Sequence, residues 1–137
     1  MKKIQILRDL TSNILETMYF LVQESPPDEP DHRYKYGVNI RDPRVDIILL
    51  FCENTAKEMS ANFLGTNEYE LSDIHDTLKE SINIIAGNYI SSQLVEYTKK
   101  INIPTMIENL DKFDETGYES AVLFYNEEPV KILLKLE

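Results

Sequence analysis

Apolar residues recur at intervals of three and four through Ile4, Leu7, Leu10, Ile14, Met18 and Leu21, a spacing that predicts a helix over Ile4 to Val22. It stops before Ser25-Pro26-Pro27-Asp28-Glu29-Pro30-Asp31, where prolines forbid helix and polar residues offer nothing to bury, so an exposed loop follows. The period then becomes two. Tyr34, Tyr36, Val38 and Ile40 alternate with Lys35, Gly37, Asn39 and Arg41, as in a strand with one wet face. Asp42-Pro43 turns the chain into Arg44 to Cys52, a Val-, Ile- and Leu-rich strand covered on most sides and antiparallel to the first.

Asn54 to Leu64 predicts a short helix that closes on Gly65, a residue suited to the left-handed turn after a helix. Ser72 is placed to cap a long helix running to about Tyr97, with Asp73 and Asp76 in its first turns, where the helix dipole favours negative charge. Lys99-Lys100 leads to an extended piece from Ile101 to Ile107 around Pro104. A polar loop from Glu108 to Gly117 follows, with one apolar pair at Leu110 and Phe113. Tyr118 to Tyr125 and Val130 to Leu136 predict a C-terminal hairpin across Asn126-Glu127-Glu128-Pro129. This order argues for an α+β fold, long helices packed on a mostly antiparallel β-sheet. The strict alternation of strand and helix in a nucleotide-binding fold is absent.

At 137 residues the chain is read as a single domain, 1–137. Its formal charge of -10 disfavours nucleic acid and anionic membranes as partners. The lone Cys52 excludes a disulfide framework and a multi-cysteine zinc site, and its apolar setting suits a buried thiol in a reducing cytoplasm. The start Met1-Lys2-Lys3-Ile4 is broken by Gln5, Arg8 and Asp9 before it can form a signal peptide, and no apolar run is long enough to cross a bilayer, so a soluble protein is expected. His32 and His75 are isolated, and no metal site is expected.

On the long helix Leu71, Ile74, Leu78, Ile82, Ile85 and Tyr89 cluster within about a third of the circumference and predict the buried stripe. Asp76, Glu80, Asn83 and Gly87 fall together on the opposite side, in one line. An ordinary solvated helix face carries the same residue types. Two details argue for docking: Ile84, Ile90 and Leu94 lie on or beside this face, and Gly87 costs a helix interior about 1 kcal/mol relative to Ala. Close packing against another element of the same chain would explain Gly87 equally well.

Asp76-x-x-x-Glu80-x-x-Asn83, followed by Ile84-Ile85-Ala86-Gly87-Asn88 and by Pro104 within Ile101-Asn102-Ile103-Pro104-Thr105-Met106-Ile107, resembles the CheC, CheX and FliY phosphatases of bacterial chemotaxis, and the CheX type most closely. Ile14-Leu15-Glu16-Thr17-Met18 is similar to the equivalent first-helix segment of CheX. CheC-type members carry two Glu-x-x-Asn helices; here Tyr19 stands where the first helix would carry the asparagine, as expected of a single active helix.

The resemblance implies a CheX/CheC-like fold and a phosphatase acting on the aspartyl phosphate of a CheY-like response-regulator receiver domain. It implies no cofactor on this chain, Mg²⁺ on the partner receiver, and a homodimer joined edge to edge between sheets. It gives Asn83 the role of positioning the attacking water and Glu80 that of docking a receiver lysine. Asp76 is supporting, or serves the helix dipole alone. Gly87, Ile84, Ile90 and Leu94 are read as partner-binding. The alternative is a non-catalytic adaptor of the same fold that binds a receiver, a motor or a pilus component.

Overall fold

A computed structural model describes residues 2–28, 33–94 and 102–136. The elements are α1 (Lys3–Met18), β1 (Tyr36–Asp42), β2 (Val45–Phe51), α2 (Glu53–Leu64), α3 (Leu71–Gln93), β3 (Thr105–Met106), β4 (Glu119–Tyr125) and β5 (Glu128–Leu136). The five strands form one antiparallel sheet in the order β3-β1-β2-β5-β4, so the α+β architecture expected from patterning is the one adopted. The expected end of the long helix near Tyr97, Lys99-Lys100, Ile101, and the loop residues 29–32 with His32 lie outside the described residues.

Alternation sorts each strand between two faces. Val38 and Ile40 of β1, Ile47, Leu49 and Phe51 of β2, and Val130, Ile132 and Leu134 of β5 face the helices and join their apolar stripes in the main core. Ile48, Leu50 and Leu133 point the other way. Because β3 and β4 occupy opposite edges, the chain between them has to cross this second face. It does so as a strap, laying Ile107, Leu110, Phe113 and Tyr118 on Ile48, Leu50 and Leu133. The expected polar loop is therefore a cover, anchored by its apolar pair. Gly37 makes room for it: a Cβ there would lie 2.6 Å from Leu110 Cδ2 and 3.1 Å from Ile107 Cδ1. Asp46 holds the strap's far end, accepting from Tyr118 Oη at 2.6 Å, Asn39 Nδ2 at 2.6 Å and Arg41 Nε at 3.1 Å.

Three element ends differ from the patterned expectation. α1 stops at Met18, because Phe20 takes a left-handed φ of 58° and folds Leu21 back, its N–H donating to Leu15 O at 3.1 Å. Leu21 is buried through that turn and not through helical periodicity. α3 is capped by Glu70 and not by Ser72: Glu70 and Asp73 bond each other's backbone N–H reciprocally. The β4–β5 turn is shorter than expected, with only Asn126 and Glu127 at its tip, both at positive φ, as a tight two-residue hairpin with right-handed twist demands. Glu128 just beyond it is buried and caps α2 from a distance, accepting from Thr55 N at 2.7 Å and Thr55 Oγ1 at 2.9 Å.

Burial pushes the Tyr19 phenol up from 10.0 to about 12, with the Glu80 carboxylate adding to the effect. Tyr125 rises from 10.0 to about 12, again by burial first and by Glu16, against opposing contributions from Ser12 and Arg8. An unfolded chain would release these protons near the ordinary value. Between the two pH values the unfolded state binds fewer protons, so stability is intact below about pH 10 and falls as pH rises towards 12. Alkaline titration is expected to show phenolate absorbance appearing together with loss of helical circular dichroism. Full phenolate formation near pH 10 with unchanged helicity would contradict this account.

Candidate functional site

α3 is buried around most of its girth. Its stripe of Ile74, Leu78, Ile82, Ile85 and Tyr89 lies in the main core, as periodicity predicts. The buried zone is wider than that stripe, because α1 and α2 both pack against α3 and cover Thr77, Ser81 and Ala86 as well. The hydroxyls buried there are satisfied within the helix, Thr77 Oγ1 on Asp73 O at 2.8 Å and Ser81 Oγ on Leu78 O at 2.7 Å. Between Asp76 and Gly87 only Asp76, Glu80 and Asn83 are exposed. They stand as a narrow ridge at spacings of four and three residues, on one side of the helix. None of the three makes a side-chain hydrogen bond or ion pair among the described residues. A carboxylate and an amide held free on a rigid helix can engage one external target together.

The C-terminal end of α1 flanks the ridge. Tyr19 is fully buried there, its ring 5.9 Å from that of Phe63, and its hydroxyl, without a hydrogen-bond partner among the described residues, feels the Glu80 charge. Tyr19, at the position where a second Glu-x-x-Asn helix would carry its asparagine, is thus inside the core. A cavity of ≈ 670 Å³ opens between α3 and the β3 edge, lined by His75, Lys79 and Pro104 among others. The register of β3, Thr105 opposite Asn39 and Met106 opposite Val38, thus brings Pro104 beside the long helix.

Several partner-binding expectations change. Ile90 is 4% exposed and belongs to the main core, so it is no docking residue; the buried zone reaches round to its position. Ile84 and Leu94 are half-buried and pack against that core, which accounts for their apolar character without a partner. Gly87 is half-buried at the end of the ridge, its carbonyl accepting from Ser91 Oγ at 2.8 Å. Leu71, expected in the buried stripe, is 57% exposed at the first turn of the helix, beyond the sheet's cover. Sequence reasoning passed over Lys79; its only local signal is its place next to Glu80. Among the described residues no cluster of His, Cys, Asp or Glu side chains could hold a metal, and no helix is long and apolar enough to cross a membrane.

Residues 40–125 match the family model described as chemotaxis phosphatase CheX. No curated relative matches the chain in sequence. Among solved structures, CheX from Desulfovibrio desulfuricans superposes with a TM-score of 0.74 at 17% identity, covering 100% of both chains. CheX from Vibrio vulnificus gives 0.73 at 18% identity, over 100% of this chain and 97% of that one. The CheX–CheY–BeF3–Mg²⁺ complex from Borrelia burgdorferi gives 0.71 at 18% identity, over 99% and 98%. Identities this low establish a shared fold.

Proposed function

Since this chain belongs to the CheX family of chemotaxis phosphatases, we propose that it hydrolyses the aspartyl phosphate of a CheY-like receiver domain, with Asn83 and Glu80 as its working pair. The observation that carries the reading is the ridge: a narrow exposed line along the middle of a rigid helix, presenting one amide and two carboxylates without side-chain partners among the described residues. The Borrelia CheX of the same fold is found with CheY, BeF3 and Mg²⁺.

Hydrolysis requires water oxygen to attack phosphorus in line as the bond to the receiver's aspartate oxygen breaks, releasing inorganic phosphate and the free carboxylate. Asn83 Oδ1 accepts a hydrogen bond from the attacking water while its Nδ2 donates to a neighbouring oxygen, fixing the line of approach. An amide has no useful pKa near neutrality, so Asn83 positions water and takes no proton. Glu80, one turn earlier, pairs with a receiver lysine and sets the docking register. Asp76 extends the negative ridge by one further turn. Mg²⁺ on the receiver supplies charge stabilisation at the phosphoryl group. For the homodimer, we assign the contact to the β4 edge, since β5 lies inside the sheet.

The test is loss of phosphate from Mg²⁺-loaded, phosphorylated receivers with and without this chain. Glu80→Ala is expected to raise KM for the phosphorylated receiver about tenfold and to change kcat much less, because it removes a docking contact. Unchanged dephosphorylation across the receivers of its own organism overturns the enzymatic reading, and receiver binding without turnover assigns the adaptor role instead.

A further inference from the structure

We propose that the cavity between α3 and the β3 edge receives an acidic side chain of the docked receiver, with Lys79 as the gripping cation; this rests on the receiver reading of the neighbouring ridge. His75 and Lys79 repeat the i, i+4 spacing of Asp76 and Glu80 one residue earlier, so beside its acidic row α3 carries a second row of an imidazole and one cation, Lys79. The acidic row forms the exposed ridge and the second row lines the cavity beside it.

The polar groups facing the cavity are not equivalent. Lys35 Nζ is engaged 3.0 Å from Glu53 Oε1, and His75 lies edge-on to Tyr36 with ring centroids 5.9 Å apart. Glu108 contributes one negative charge to the lining. Lys79 is half-buried and makes no ion pair among the described residues, so its ammonium is uncommitted. In open solvent such a group would hold a small anion only weakly. A protein docked on the ridge would roof the cavity and exclude water, and an acidic side chain entering there would gain a partly desolvated ion pair.

The two rows also settle orientation. A receiver turned end for end would set its lysine against Lys79 and its acid against Glu80, and like-charge juxtaposition penalises that docking. The same pattern answers a difficulty posed by the overall charge of -10, which repels an acidic partner at long range. A local cation beside the contact supplies the attraction that the net field withholds.

The experiment titrates the full-length chain and its Lys79→Glu and Lys79→Met variants with a Mg²⁺- and beryllofluoride-loaded receiver, and in parallel measures dephosphorylation of the phosphorylated receiver. Lys79→Glu is expected to weaken binding and raise KM by about tenfold with kcat within about twofold, Lys79→Met by less, and the difference should shrink at high salt. Reversing one acidic residue of the receiver to lysine should restore affinity for Lys79→Glu. Circular dichroism matching the wild type confirms the fold of each variant. Unchanged Kd and KM in both variants, with the wild-type chain active, overturn this inference alone. A wild-type chain that neither binds nor dephosphorylates any receiver overturns both it and the receiver reading.

Discussion

Asn83→Ala is expected to lose about a hundredfold in stimulated receiver dephosphorylation, the size seen when one preorganised donor is removed from a transition state. That corresponds to about 2.7 kcal/mol of barrier. The fold should not suffer. Asn83 is exposed, has no side-chain partner among the described residues, and sits inside a helix, where alanine is the better former by several tenths of a kcal/mol. Activity and stability should therefore separate, with kcat collapsing while the thermal midpoint stays level or rises slightly. Asn83→Asp sharpens the test, because it keeps the shape but replaces a donor with a charge facing phosphoryl oxygens; it should be no more active than the alanine variant. A loss smaller than about threefold for Asn83→Ala would remove the amide from the mechanism, since an oriented donor of this type is worth far more.

The largest expected loss of stability belongs to Asp46→Ala, on the opposite face of the sheet. The Asp46 carboxylate is nearly buried and accepts from Tyr118, Asn39 and Arg41, whose Nη2 also lies 3.1 Å away. Its removal strands the Tyr118 hydroxyl in a part-buried setting, leaves Asn39 Nδ2 with its bond to Ile47 O at 2.9 Å alone, and releases the far end of the strap. Arg41 is mostly exposed and rehydrates freely, so the cost is expected near 3 kcal/mol, below that of breaking a fully buried pair. For a chain of this size that is a fall in thermal midpoint of about 10 °C. A local readout accompanies it. The Tyr118 phenol is raised by burial first and by the Asp46 carboxylate after that, with Arg41 opposing, so deleting Asp46 should lower its titration in ultraviolet absorbance. Catalysis measured well below the midpoint should be unaffected, because α3 packs on the other face. An unchanged midpoint would show that Tyr118 is not fastened through this carboxylate.

Most element positions were legible because their signals are local. The Tyr36–Asp42 and Val45–Phe51 hairpin, the helix closing on Gly65 at φ 70°, and the final hairpin follow from period and turn chemistry within a few residues. Misreadings arose where a distant contact decided the outcome. Leu21 fits the helical period of α1, yet it reaches the core through the left-handed Phe20. Ile90 looked like a docking residue because a helical wheel cannot say how far neighbouring elements wrap round α3. The stretch from Glu108 to Gly117 read as a loop because two apolar residues are too few for a periodic signal, and its role depends on β3 and β4 lying at opposite edges.

The sequence by itself determined the line of Asp76, Glu80 and Asn83, since 3.6 residues per turn aligns these positions whatever surrounds the helix. It likewise determined the two faces of each strand, through a period of two. Tertiary structure alone decided that this line would be left open along the middle of α3, because that depends on which flanks α1, α2 and the sheet desolvate. It also set Pro104 and the uncommitted Lys79 around one cavity, a meeting created by strand register between segments far apart in the chain. Periodicity is a property of neighbouring residues, whereas exposure and juxtaposition belong to packing, which no local pattern encodes.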